Sequence, residues 1–381
     1  MTRAGASSGD KPDDRLRLLF IARSFPPSLG GMQISAYQLS ESIRRQANVT
    51  MLVNRRGAKA LPAFLPYALA SGAYLARRNR VQAIHLGDAL LAPLGLALKK
   101  ITGLPVTSSV HGLDVTYANR LYQRIVTAAL AHLDMTMPNS RATEIEVHAR
   151  VGKEAPTVVI RLGVNPLDEP EVEAIREFRR MARIGPGDRV ILTTGRLIKR
   201  KGVAWFAGSV LSRLPEGATY VVIGEGPQTS AIRAAASSAG VANRLRLLGR
   251  VSDELLAAAY HAADVFVMPN IPVAGDMEGF GLVALEAAAS GLPVVAARLE
   301  GITEAVQHDR NGLFVTAGSA DEYVSTIMRL LTLPPDDLRR LGASYADFTL
   351  RTFGWDKTAG RYLDVIGEIA AAKAPAKASN D

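Results

Sequence analysis

The sequence predicts an α/β protein of two doubly wound domains facing a central cleft. Three observations predict it. Short apolar runs alternate with amphipathic or alanine-rich stretches of helical length, the pattern of a parallel sheet covered by helices on both faces. A segment rich in turn formers and acids, GVNPLDEPEVE at 163–173, interrupts the alternation, which then begins again. The 381 residues are too many for one ordinary core and comfortable for two.

Taken in order, LRLLFIA (16–22), NVTMLV (48–53), VQAIHL (81–86), LPVTSSV (104–110), LDMTMP (133–138) and TVVIRLG (157–163) read as buried strands of the first series. DRVILTTG (188–195), ATYVVIG (218–224), RLRLLG (244–249), ADVFVMP (263–269), LPVVAA (292–297) and GLFVTA (312–317) read as the second. The expected organisation is a disordered leader over 1–14, a Rossmann-like domain over 15–165 and another over 166–350. A frayed tail over 373–381 completes it. In such sheets ligands bind beyond the carboxyl ends of the strands, so chemistry is sought just after each strand.

Composition narrows the function classes. The chain has no cysteine, which excludes disulfides, thiolate metal sites and a cysteine nucleophile and fits a reducing compartment. The N-terminus lacks the apolar core of a signal peptide. The longest uncharged apolar stretch, 61–76, falls short of a membrane span and holds two prolines, expected to break it. The formal charge of +9 is uneven: residues 1–165 carry 21 Lys/Arg against 10 Asp/Glu, and the remainder 24 against 26. No nucleic-acid motif accompanies the basic half, so a solvated surface, an anionic membrane or an anionic substrate are the readings left for it.

The strand ends carry the motifs. After the first strand, FPPSLGG places Gly30 and Gly31 before a helix expected from about Met32, where backbone N–H groups and the helix dipole favour an anion. This is neither a dinucleotide fingerprint nor a P-loop. His85 in IHLGD and His111 in VHGLDV end two strands of one sheet edge, and Gly112 beside His111 leaves room for a ligand. TTGRLIKRKGV puts Gly195, Arg196 and Lys201 past a strand, a fork and a point charge suited to a diphosphate. In GDMEGFGLVALEAAASG, Glu278 precedes a Gly279-Phe280-Gly281 turn whose helix opens at Leu282. Glu286 lies on that helix among Leu, Ala and Val, where a carboxylate needs partners such as ribose hydroxyls.

This constellation resembles the Glu-x7-Glu signature of retaining glycosyltransferases of the GT-B fold, glycosyltransferase family 4. FPPSLGG, VHGLD, GRLIKRKG and the ending TFGWDKTAGRYLDVI resemble further parts of that family in the same order, over nearly the whole chain. The resemblance implies a UDP- or GDP-sugar in the cleft, with Arg196 and Lys201 on the diphosphate and Gly30, Gly31, Gly195 and the N–H groups around Gly279, Phe280, Gly281 and Leu282 assisting. It implies Glu286 on the ribose, Glu278 and His111 at the donor sugar, the first domain on the acceptor side, and a C-terminal helix over 351–372 crossing back onto that domain. Asn165 stands where the family often has aspartate.

No Asp-x-Asp pair is present and the family is metal-independent, so no cofactor or metal is expected. The implied acceptor is a glycan or lipid-linked saccharide in cell-surface polysaccharide or glycolipid synthesis. The expected place is the cytoplasm, with peripheral binding to an anionic membrane through the basic ends of 61–80 and 90–100. Two other readings share the architecture: a sugar-nucleotide 2-epimerase, and a non-catalytic nucleotide-sugar-binding protein.

Overall fold

A computed structural model describes residues 15–26 and 31–373. The expected leader 1–14, Gly30 and the expected tail beyond Lys373 lie outside the described residues. Strands β1 (Arg17–Ala22), β2 (Asn48–Val53), β3 (Ala83–Leu86), β4 (Val106–Val110) and β5 (Met135–Pro138) form one parallel sheet in the order β2-β1-β3-β4-β5. Strands β6 (Arg189–Thr194), β7 (Ala218–Ile223), β8 (Leu245–Gly249), β9 (Val265–Met268), β10 (Val294–Ala297) and β11 (Leu313–Val315) form a second parallel sheet, β11-β10-β9-β6-β7-β8.

The second order is the Rossmann arrangement and the first is the flavodoxin-like one. Each reverses direction once, between β1 and β3 in the first sheet and between β6 and β9 in the second. Helices cover both faces, which is why these strands are apolar runs: Leu18, Leu19, Phe20 and Ile21 of β1 are all fully buried.

Eleven of the twelve expected strands form. The exception is 157–163. It runs in extended form beside β5, with Val158 N–H donating to Thr136 O and Ile160 N–H to Pro138 O, but pairs only at the single bridge Thr136–Thr157. It serves as the connection to the second sheet. At its end Val164 bridges Gly354 and donates to Phe353 O at 2.7 Å, so the outgoing chain lies against the returning one.

The returning chain becomes the helix Trp355–Lys373, which packs on the helix Gly31–Gln46. Trp355, Ala359, Tyr362 and Ile366 recur at helical spacing and are buried in the first domain's core. Arg45 pairs with Asp356 at 2.5 Å and reinforces the contact at the surface.

The helix Leu61–Arg78 corrects the expectation that its prolines break it: it runs unbroken for 18 residues. Pro62 occupies the first turn, where no N–H is needed, and Pro66 forfeits a single hydrogen bond just inside. No helix among the described residues is long and apolar enough to cross a membrane.

His85 proves to be a core residue. It is fully buried on β3, with Nδ1 at 2.8 Å from Thr107 Oγ1 and Nε2 at 3.1 Å from Ser109 Oγ. Ser109 Oγ continues to the Tyr362 hydroxyl at 3.1 Å, tying the last helix to the sheet. Burial, assisted by the nearby His111, pushes the His85 pKa from 6.5 down to about 3. The native state therefore keeps His85 neutral where the unfolded chain protonates it, and stability falls as pH drops from about 6.5 towards 3. Between pH 6.5 and 5 this one group removes about 2 kcal/mol. Urea denaturation should show His85→Gln losing that much less than the parent over this interval; an identical pH slope would refute the assignment.

Candidate functional site

The site lies where the second sheet reverses, beyond the ends of β6 and β9. After β6, Gly195 and Arg196 lead to a tight turn over Lys199–Lys201. After β9, Pro269 and Asn270 lead to a loop that ends in Glu278, Gly279, Phe280 and Gly281, and the helix Leu282–Ala289 follows. Ile271 N–H donates to Arg200 O at 2.9 Å and fastens the loop to the turn.

Four side chains converge here. Lys201 Nζ lies 2.7 Å from Glu278 Oε2, Arg200 Nε lies 3.4 Å from the same oxygen, and Asn270 Nδ2 donates to it at 3.0 Å. Arg200 also pairs with Asp276 at 2.7 Å. Glu278 and Arg200 are both buried. Burial alone would raise the Glu278 carboxyl, but the Lys201 and Arg200 cations outweigh it and hold its pKa below the ordinary value. Asn270 Oδ1 is buried with no hydrogen-bond partner among the described residues.

Glu286 sits one turn into the helix, half-buried, and accepts the Tyr260 hydroxyl at 3.0 Å. Tyr260 is itself 2.9 Å from Thr194 Oγ1 at the end of β6. Burial raises the Glu286 pKa, against the opposing pull of Tyr260 and Lys201. Gly281 caps the helix in a left-handed conformation; Ala284 N–H donates to Gly281 O at 2.9 Å, and the Leu282 and Val283 N–H groups belong to the set an α-helix leaves unpaired.

The first domain contributes the opposite wall. His111 follows β4; its backbone N–H donates to Asp114 Oδ1 at 2.8 Å, and its ring Nε2 donates to Gly87 O at 3.0 Å. Gly87 and Asp88 follow β3, and Asp88 pairs with Arg23 after β1 at 2.8 Å, at that sheet's own reversal. The two walls touch: a Cβ on Gly279 would lie 2.1 Å from His111 O, so only glycine fits this approach.

Lys201, Glu278, Gly279, Gly281 and His111 are thus gathered within one cleft, with Glu286 on its helix behind them. Arg196 is exposed at its mouth, with no ion pair among the described residues, and Leu282 opens the helix. Gly31 is the first residue of the helix Gly31–Gln46. Phe280 turns inward, into a buried cluster that joins first-domain residues to Leu285, Ala289 and Ala305 of the second. Arg200, Asp276 and Asn270 escaped the sequence reading. Arg200 stood inside a KRK run that looks solvated, yet a tight turn cannot point all three residues outward. Asp276, two residues before Glu278, was its available signal. Apart from this cluster, a cavity of about 590 Å³ lies at the hinge, lined by Arg161, Glu304, Lys357 and Arg361 among others.

Residues 29–166 match the family described as Glycosyltransferase Family 4, and residues 188–333 match Glycosyl transferases group 1. A D-inositol 3-phosphate glycosyltransferase of Salinispora arenicola is 30% identical over 77% of this chain and 70% of its own. The chain belongs to glycosyltransferase family 4. A GDP-mannose-dependent alpha-(1-6)-phosphatidylinositol monomannoside mannosyltransferase of Mycobacterium tuberculosis is 28% identical to this glycosyltransferase over 93% of the chain and 99% of its own length.

Among solved structures, Anabaena HepE in complex with UDP and glucose superposes with a TM-score of 0.73 at 19% identity, covering 93% of this chain and all of that one. Sucrose-phosphate synthase from Thermosynechococcus elongatus superposes with a TM-score of 0.75 at 23% identity, covering 94% and 100%. The shared fold of this glycosyltransferase is GT-B.

Proposed function

We propose that the protein transfers a hexosyl group, with retention of anomeric configuration, from a UDP- or GDP-sugar to a glycan or lipid-linked acceptor. The observation that carries this reading is the buried Lys201–Glu278–Arg200 cluster at the reversal of the second sheet, facing His111. Fixed cations and an ionised acid, four residues before the helix that starts at Leu282, support a site for an anionic donor. The Mycobacterium tuberculosis relative depends on GDP-mannose, which supports a nucleotide-sugar donor and makes GDP-mannose the first donor to test.

The assigned roles follow from charge. Arg196, exposed and without an ion pair among the described residues, takes one phosphate. Lys201 turns part of its charge from Glu278 to the other, while Arg200 and Asn270 stay on Glu278 and keep it compensated. Glu286 keeps one oxygen on Tyr260 and offers the other to a ribose hydroxyl. Glu278 and His111 orient the sugar.

In the transfer, the bond from the anomeric carbon to the leaving oxygen breaks and its electron pair departs with the nucleoside diphosphate. The acceptor oxygen bonds the anomeric carbon on the same face, and its proton passes to the leaving phosphate. Cations and N–H groups fixed in place stabilise the developing charge without reorganising. No divalent ion is assigned a role.

Lys201→Ala and Arg196→Ala should each lower turnover by about 10²–10³ with the fold retained. Glu286→Gln should weaken binding of free GDP or UDP, whereas Glu278→Gln should spare that binding and impair transfer. Steady-state kinetics with nucleotide titration checks the set, and normal turnover in both cation variants would refute the clamp. An inverted product anomer by NMR would refute retention.

The acceptor side is read from the first domain's outer face. The helices Leu61–Arg78, Ala92–Thr102 and Arg120–Leu130 pack in a row there. They expose Tyr67, Tyr74, Ile101, Leu121 and Ile125 beside Arg77, Arg78, Lys100, Arg120 and Arg124. Apolar and basic groups together suit an anionic membrane bearing a lipid-linked acceptor, at about 1 kcal/mol per basic residue near the surface. We place the protein in the cytoplasm, docking reversibly on the inner leaflet. Co-sedimentation should show binding to anionic vesicles at low salt that fades as the Debye length shrinks from about 10 Å at 0.1 M to about 3 Å at 1 M. Equal binding to neutral and anionic vesicles would refute it.

A further inference from the structure

Glu300 lies in the turn after β10, half-buried, with φ of 44°, a left-handed conformation that favours glycine. Its Oε2 accepts the backbone N–H of Glu278 at 2.5 Å, and Glu278 O in turn accepts Gly301 N–H at 3.1 Å. The backbone around Glu278 is therefore held from both sides by residues 300 and 301. Gly301 sits so close that a Cβ there would fall 2.0 Å from Gly279 O. Gly279 is pressed in turn against His111 O. Glu278's side chain is fixed by Lys201, Arg200 and Asn270, and Glu300 fixes the backbone from which that side chain springs.

We infer that Glu300 is a positioning residue for transfer: through the Glu278 N–H it sets the Glu278–Gly279 backbone against His111 and so aligns the donor sugar. The inference rests on the donor-site reading above. Glu300 acts on the acid and not on the diphosphate, so its loss should be felt in turnover more than in binding.

Glu300→Gly relieves the left-handed strain and deletes the acceptor. Glu300→Gln keeps an acceptor oxygen at nearly the same reach. Steady-state kinetics with GDP-mannose and UDP-glucose as probe donors, using whichever turns over, should show kcat of Glu300→Gly reduced about tenfold to a hundredfold at little changed donor KM. Affinity for free GDP and UDP should stay at the parent's value, and Glu300→Gln should recover most of the lost kcat. Parental kcat in Glu300→Gly, a change confined to KM, or no recovery in Glu300→Gln overturns the proposal. Lys201→Ala assayed in parallel separates the two readings. If Lys201→Ala is crippled while Glu300→Gly is normal, this proposal fails alone; if Lys201→Ala and Arg196→Ala both turn over normally, the donor-site reading fails with it.

Discussion

A buried carboxylate shared by two cations is the interaction on which this molecule is arranged. Glu278 alone in that position would cost several kcal/mol to keep ionised. Lys201 and Arg200 remove that cost, and both come from one tight turn after β6, while Glu278 comes from the loop after β9. The pair can form only where those strands lie side by side, at the single reversal of the second sheet. Strand order, turn and loop therefore converge on one place. The same unequal sharing leaves Arg196 outside the cluster and Lys201 able to divide its charge, as the proposed diphosphate site requires before its ligand arrives.

The second constraint is close approach of bare backbone. Gly279 rests on His111 O and Gly301 on Gly279 O, so the acid's loop is sandwiched between the two domains without side chains intervening. The relative placement of the domains is held elsewhere, by the paired chain crossings at Val164 and Gly354 and by the last helix on the first domain. The neutral His85–Ser109–Tyr362 chain anchors that last helix inside the first core.

Much of this was legible in the sequence, for physical reasons. Strands buried on both faces must be apolar runs, and eleven of the twelve expected here form. GDMEGFG and GRLIKRKG stood out because each sets glycine beside charge just past a strand, and the fold brings Lys201 of one onto Glu278 of the other. The rest was hidden by facts that sequence does not carry. TVVIRLG has strand composition, but beyond β5 it finds a neighbour for only one bridge. Pro66 looks like a breaker, yet so near a helix start it loses little. His85 and His111 look alike in the sequence, and only burial separates a core residue from a cleft residue. Arg200 reads as a solvated charge until the loop from β9 closes over it. Glu300 has no signature at all, because its left-handed backbone and its reach to Glu278 are properties of the folded turn.

Ionisation of Glu278 at its buried site, held by its two cations, is directly measurable. Carbon-13 NMR titration of glutamate-labelled protein, with the Glu278 signal assigned through Glu278→Gln, should find this carboxyl titrating below the ordinary glutamate value. In Lys201→Met its titration should move upward. A Glu278 that titrates above the ordinary value in the parent, or that is unmoved by Lys201→Met, would contradict the account.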